Sequence, residues 1–335
     1  MSGSAAGAAK VTASRSGVLW VAWERHRRTL ELCRYLGLEP AIFTSTLPRW
    51  CKHPWFIGRT VGLLLQQRPR TVIVQNPSVV LTALACLLRP LLRYRLVVDA
   101  HNAGVLPDHP LLTRVPSFYR FLQRRADLTV VTNDALAARI RANGGSPLQL
   151  PDRLPQPPRV DPPTLKGERN LVFICTFGGD EPYREVLAAA RQFDPGIHLY
   201  VTGNFHKLPP SEREAIPPQV TLTGYLPEQQ YWELLAAADL VLDFTYRDDC
   251  LVCGAYEAVA VGTPLLLSDT RALRTYFCQG AIFTDHRPQS IVQNTRLALD
   301  RLPQLRRQVA LLKEELALTW ELEGMKLRTF VEENR

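Results

Sequence analysis

The chain has 335 residues, of which 46% are apolar and 21% charged, and its net charge is +8. This is the composition of an ordinary soluble globular enzyme, and the length exceeds what one hydrophobic core usually covers, so two domains are expected. No run of about 18 apolar residues exists, which argues against a spanning helix. The opening MSGSAAGAAK lacks the apolar stretch of a signal peptide, so residues 1–16 read as a disordered tail.

In chain order, β-type runs at 17–23, 41–45, 71–75, 95–101 and 128–133 alternate with helical patterns near 26–37, 55–68, 78–92, 111–126 and 134–143. Runs such as TVIVQN and RLVVDAH are nearly continuous in apolar and β-branched residues. Strands of that kind are buried on both faces, which means a parallel sheet between helices. Six prolines among residues 151–169 then predict a stiff, extended linker. The alternation resumes with strands at 170–177, 198–203, 220–225, 240–246, 264–268 and 281–284, and a long helix runs from about 288 to the end. The fold class is therefore α/β, with two doubly wound Rossmann-like domains over 17–150 and 170–315.

Charge divides between the halves. Residues 1–160 hold 22 Lys/Arg against 8 Asp/Glu, a balance of +14, and residues 161–335 hold 18 against 24, a balance of −6. The basic half is suited to an anionic membrane face, a lipid-pyrophosphate acceptor or nucleic acid. Nucleic acid is disfavoured, because no interleaved aromatic platform or recognised module accompanies the charge. Trp50, Trp55 and Phe56, set among Arg49, Lys52 and Arg59, read either as a membrane-interface segment or as core packing. The basic start of the first helix, Glu24 to Arg28, fits a helix N-terminus poorly and so points to an acidic ligand. Seven cysteines at irregular spacing read as reduced thiols in a cytosolic protein. Cys250-x-x-Cys253 lacks partner ligands for a metal.

Ligands of doubly wound sheets bind beyond the carboxyl ends of strands. Four stretches there can carry chemistry. In RDDCLVCGAYEAVAVGTPLLLSD, Arg247 to Asp269, Gly254 opens a helix where backbone N–H groups can meet an anion. Glu257, placed in that helix's first turn, can accept from a ribose diol or merely stabilise the helix start. In FICTFGGDEPYREV, Gly178 and Gly179 suit a phosphate, with a helix opening at Asp180-Glu181-Pro182. The turns at Gly203-Asn204 and Gly224-Tyr225 follow the next two strands, and Tyr225 either stacks on a base or fills the core. In VVDAHNAG, Asp99 and His101 lie on the same side of a strand, either as a general-base unit or as a structural pair.

The first of these stretches resembles the donor signature of GT-B glycosyltransferases of family 4. Two acids eight positions apart, Asp249 and Glu257, flank the loop and start of a helix that ends in Gly262-x-Pro264. The loop is similar to a bacterial subgroup reading T-x-x-D-x-x-x-C-G-A-Y-E, and more loosely to the β-mannosyltransferases that extend dolichol-linked chitobiose. It departs from the commoner E-G-F-G loop in having Asp249-Cys250-Leu251-Val252. The resemblance implies two domains facing across a cleft, the first binding the acceptor and the second a UDP-, GDP- or TDP-sugar. It implies Glu257 on the ribose, with Asp249, Cys250, Leu251 and Gly254 near the sugar and phosphates. It also implies His101 as the catalytic group, with Asp99 as orienter or base, and a last helix (316–335) crossing to the first domain. The family's basic pair on the diphosphate is missing here, and Arg184 or Arg247 stands in for it. No D-x-D ends a strand, so neither a metal nor another cofactor is expected. The expected activity is hexosyl transfer to a glycan, carried on a lipid, at the cytoplasmic face of a membrane. An epimerase of the same fold is the alternative.

Overall fold

The computed structural model describes residues 17–45, 48–76, 79–105 and 116–333, so the expected tail at 1–16 lies outside the described residues. The chain divides into two compact units, Met1–Arg153 with Glu321–Arg335, and Leu154–Trp320.

The first unit runs β1 (Val18–Ala22), α1 (Arg27–Leu36), β2 (Ala41–Ile42), α2 (Arg49–Gln67), β3 (Thr71–Asn76), α3 (Val79–Leu92), β4 (Arg95–Ala100), α4 (Asn102–Val105), α5 (Pro116–Arg125), β5 (Leu128–Val131), α6 (Asp134–Ala142) and β6 (Pro147–Gln149). Its six strands are all parallel, in the order β2-β1-β3-β4-β5-β6. β6 is a strand that the sequence reading missed. It is short, begins on proline and lies at the edge, where a missing N–H breaks no ladder.

The second unit runs β7 (Arg169–Phe173), α7 (Tyr183–Ala190), β8 (Ile197–Thr202), α8 (Pro210–Glu214), β9 (Val220–Gly224), α9 (Glu228–Ala237), β10 (Leu240–Asp243), α10 (Cys253–Val261), β11 (Leu265–Ser268), α11 (Arg271–Tyr276), β12 (Ala281–Thr284), α12 (Pro288–Asp300) and most of α13 (Leu302–Glu332). Its sheet is also parallel throughout, ordered β12-β11-β10-β7-β8-β9. Counted from β7, this is the dinucleotide-binding order, and the direction of winding reverses between β7 and β10. In the first unit the reversal falls between β1 and β3. These are the places where a doubly wound sheet opens a crevice for a ligand.

The linker and the last helix differ from expectation in detail. Leu154, Val160 and Leu165 are half-buried against the second unit's core, so much of the proline-rich stretch is laid on that unit. The single long helix expected from residue 288 is two, α12 and α13. Pro303 has no N–H to offer the carbonyl of Leu299, so the helical ladder is interrupted there. The end of α13 belongs to the first unit, where Arg328 donates to the Tyr35 carbonyl at 2.5 Å and Arg95 to the Phe330 carbonyl at 2.9 Å. No helix among the described residues is long and apolar enough to cross a membrane.

Candidate active site

In the second unit, β10 ends on Asp243, which is buried. Its carboxylate accepts the backbone N–H groups of Gly254 and Ala255 at the start of α10. A methyl group on Gly254 would lie 2.6 Å from Asp243 Oδ2 and overlap Ile174. Only glycine lets the helix start close on this carboxylate. The anion expected at this helix start is therefore the protein's own, and Gly254 serves Asp243 rather than a phosphate directly. Burial, and then the nearby Glu257 and Glu181, push the Asp243 carboxyl well above the usual carboxylate range.

Glu257 is the fifth residue of α10, beyond the first turn in which the sequence reading placed it, because the helix already opens at Cys253. Its Oε2 accepts from the Tyr231 hydroxyl at 2.6 Å. Burial, followed by the Glu257 charge, raises the Tyr231 phenol, so it stays a donor. Tyr231 lies on α9, 26 residues away, and no local pattern announces the pair. Tyr231→Phe is expected to weaken nucleotide binding about threefold to tenfold, the value of one hydrogen bond. Isothermal titration with a nucleoside diphosphate checks it, and an unchanged affinity would detach Tyr231 from the site.

The loop after β7 differs from expectation in the same way as α10. The Glu181 carboxylate accepts from the backbone N–H of Thr176 at 2.9 Å and of Gly178 at 2.8 Å, and from the Thr176 hydroxyl at 2.9 Å. The Gly178 amide expected to cradle a phosphate is thus held by a side chain three residues on. The helix does not open at Asp180; α7 starts at Tyr183 with Pro182 as its N-cap. A side chain at Gly179 would meet open space. Of the two candidate cations, Arg184 turns to Glu212 on α8, with Nη2 to Oε1 at 3.0 Å. Arg247 stays at the loop, its Nε 2.9 Å from Asp180 Oδ2. Lys207, which the sequence reading passed over, joins it by donating to the Thr176 carbonyl at 2.6 Å.

Around these groups the remaining candidates sort themselves. Gly203 has φ +87°, and any Cβ there would overlap the Cys175 carbonyl oxygen, so β8 can end against β7 only on glycine. The Gly203 N–H donates to Gly224 O at 3.0 Å, which ties the ends of β8 and β9 together. Asn204 accepts from the His206 N–H at 3.2 Å and so caps the following turn. Tyr225 is 74% exposed, so it does not fill the core. Asp249, Cys250 and Leu251 are half-buried in the loop before α10, and Leu251 packs on the unit's core.

In the first unit, Asp99 lies in β4 and His101 follows its end, one strand beyond the winding reversal between β1 and β3. Asp99 is fully buried, and its Oδ1 accepts from Arg28 Nε at 2.8 Å. Arg28 also bonds Asp152 Oδ1 at 2.7 Å and the Leu150 carbonyl at 2.8 Å. Burial pulls the guanidinium down, and the two aspartates more than offset it. Asp99 is therefore neither a general base nor a hydrogen-bonded orienter of His101. It is the partner of Arg28, 71 residues earlier. Of the basic α1 start, Arg28 is internal and Arg27 pairs with Glu31 at 2.9 Å, while Arg25 stands exposed.

The His101 ring stands edge-on to His26, with centroids 4.4 Å apart, and its buried Nε2 has no hydrogen-bond partner. Burial lowers its pKa, partly countered by Asp99. His101 is thus neutral near pH 7 and can accept a proton. His198 and His286 are lowered too, again first by burial. The unfolded chain takes up these three protons near pH 6.5 and the folded chain only below that. The share of stability that depends on these three histidines is accordingly complete above about pH 6.5 and falls as pH drops through the window beneath it, while the raised Asp243 carboxyl acts in the opposite sense. Urea midpoints at stepped pH for the wild type and His198→Gln check the histidine share, and profiles of identical shape would refute it for His198.

Two family models match the sequence: a glycosyl transferase 4-like domain over residues 8–150 and a glycosyl transferase-like domain over residues 181–318. No curated protein matches. Among solved structures, sucrose-phosphate synthase of Thermosynechococcus elongatus is similar at 14% identity and a TM-score of 0.73, over 94% of this chain and 98% of that one. The Anabaena protein HepE, solved in complex with UDP-glucose, matches at 12% identity and a TM-score of 0.70, over 93% and 99%. A putative UDP-N-acetylglucosamine 2-epimerase of Listeria monocytogenes matches at 13% identity and 0.60, over 87% and 90%.

Proposed function

This chain belongs to the family-4-like glycosyltransferases of the GT-B fold, and from that premise we propose that it moves a hexosyl group from a nucleoside-diphosphate sugar to a lipid-linked glycan at the cytoplasmic face of a membrane, in cell-surface polysaccharide or glycolipid synthesis. The observation that carries the donor half is the Glu257–Tyr231 pair beside the winding reversal of the second sheet. One half-buried phenol donates to the carboxylate, which suits it to take the hydroxyls of a ribose. Tyr225, exposed at the end of β9, is available to stack on the base. UDP-glucose in the similar HepE protein supports a nucleotide-sugar donor.

The amides of Gly178 and of the α10 start are taken by Glu181 and Asp243. Stabilisation of the departing diphosphate therefore falls chiefly to Arg247 and Lys207, at the glycine loop. In the first unit, neutral His101 takes the proton of the attacking acceptor hydroxyl. Asp248 and Asp249 are adjacent rather than spaced as D-x-D, and transfer is proposed to go without a divalent metal, so that EDTA leaves the rate unchanged.

Thermal-shift titration with UDP-, GDP- and TDP-sugars tests the donor half, and stabilisation by none of them would sink it. The epimerase-like neighbour favours a second reading, interconversion of the donor sugar alone. Nucleotide released only when a lipid-linked glycan is present supports transfer. An epimerised donor formed without acceptor supports the rival.

A further inference from the structure

Seven large apolar residues stand exposed on one helical layer of the first unit. They are Trp55 and Leu65 on α2, Val80, Leu87 and Leu91 on α3, and Phe118 and Phe121 on α5. Leu87 and Leu91 are 76% and 73% exposed, far beyond what core packing leaves open. α3 packs against both α2 and α5, and the inward residues Phe56, Leu64, Leu81, Ala85 and Leu122 share one core cluster, so the three helices cover the same side of the sheet. Of the two readings open for this segment, Phe56 takes core packing, while its neighbour Trp55 faces outward; the Trp50 side chain lies outside the described residues.

The charge of this layer is one-sided. α2, α3 and α5 contain no Asp or Glu, whereas they carry Arg49, Lys52, Arg59, Arg89, Arg120, Arg124 and Arg125. Arg59 lies over the Trp55 ring and Arg125 over the Phe121 ring, so cations and exposed aromatics are interleaved. Another exposed apolar row, Leu311, Leu318, Leu322 and Met325 on α13, runs among Glu314, Glu315, Glu321 and Glu323 with Lys313 and Lys326 between them. An anionic surface is attracted more strongly to the α2–α3–α5 layer than to that row.

We propose that the outer face of α2, α3 and α5 docks on an anionic lipid bilayer, with Leu87, Leu91, Phe118 and Phe121 entering the headgroup boundary and the arginines meeting lipid phosphates. A bilayer accepts what the layer presents: a broad apolar face with aromatic residues at the interface and a cationic surround on helices that carry no carboxylate of their own, the neighbouring Asp127 being held by Arg89. The assignment deepens the membrane-face reading proposed above, and because its residues lie outside the donor groups and His101, vesicle binding can fail while nucleotide binding holds.

The test is co-sedimentation of the full chain with vesicles of phosphatidylcholine alone or mixed with phosphatidylglycerol. The chain is expected to bind the mixed vesicles, to bind the neutral ones far less, and to release as salt rises. The double variant Leu87→Glu, Leu91→Glu is expected to bind about tenfold more weakly or worse, with unchanged far-UV circular dichroism and an unchanged thermal shift on nucleotide addition. A second variant, Phe118→Ser, Phe121→Ser, guards against a local effect of the new charges and is expected to lose binding likewise. The proposal is overturned if the wild type ignores phosphatidylglycerol vesicles, if it binds both vesicle types equally, or if the variants bind as it does. It is also overturned if light scattering shows a dimer that Leu87→Glu, Leu91→Glu dissolves while no vesicle is bound, since the face would then cover a second copy of the chain.

Discussion

Arg28→Met is expected to destabilise the protein by about 3–5 kcal/mol, the cost of leaving a buried charge without its partner. Arg28 and Asp99 have side-chain exposures of 2% and 0%, and the guanidinium is the hydrogen-bonding partner of Asp99 Oδ1. Methionine fills much of the volume but satisfies neither carboxylate. Asp152 is partly exposed and can turn to water, whereas Asp99 cannot. The same guanidinium holds the Leu150 carbonyl, so the end of the first unit's chain loosens with it. A lowered urea midpoint reads the effect. Adding Asp99→Leu to the variant is expected to recover most of the loss, because apolar residues can replace a buried ion pair at little cost. A loss below about 1 kcal/mol in the single variant would show that the pair does not hold this end of the sheet.

His101→Gln is expected to lower the transfer rate by about 100- to 10,000-fold, the usual contribution of a positioned general base. The imidazole is held neutral by burial, and its Nε2 has no partner within the protein. Glutamine keeps a polar side chain there but cannot take a proton. Donor binding, judged by the thermal shift with the nucleotide sugar, is expected to stay as in the wild type, since His101 belongs to the other unit. The wild-type rate is expected to fall on the acid side, below the ordinary histidine value near pH 6.5, as the ring protonates. That limb disappears in the variant. A variant within about threefold of the wild-type rate would remove His101 from the chemistry.

These two residues show how far the site could be read from residues alone. The position of His101 was legible because a polar residue at the end of a continuous β-branched run must lie at the sheet's carboxyl edge, where ligands bind; its catalytic role came only from the family resemblance. Its partner was not. Asp99 stands two positions before it and invited a carboxylate–imidazole pair, yet Arg28 claims that carboxylate from 71 residues away. Glu181 and Asp243 repeat the pattern. Glycines at 178 and 254 were read as meeting a phosphate, and in the structure their amides meet carboxyl groups of the same chain. A glycine reports that something must come close and does not report what.

By itself the sequence determined two βα-alternating halves divided by a proline-rich stretch, the parallel character of both sheets and the helix end at Gly262, whereas the break at Pro303 was passed over. Each follows from local chemistry: side-chain periodicity, β-branching, a left-handed cap at φ +83° and a missing N–H. The tertiary structure alone decided the two strand orders, and so where each sheet reverses its winding. It also decided that Arg28 is internal, that Tyr231 backs Glu257 and that the carboxylate-free helices α2, α3 and α5 share one face. Those outcomes depend on which distant groups meet once the strands are paired, and pairing is chosen by the packing of whole elements rather than by any short stretch of residues.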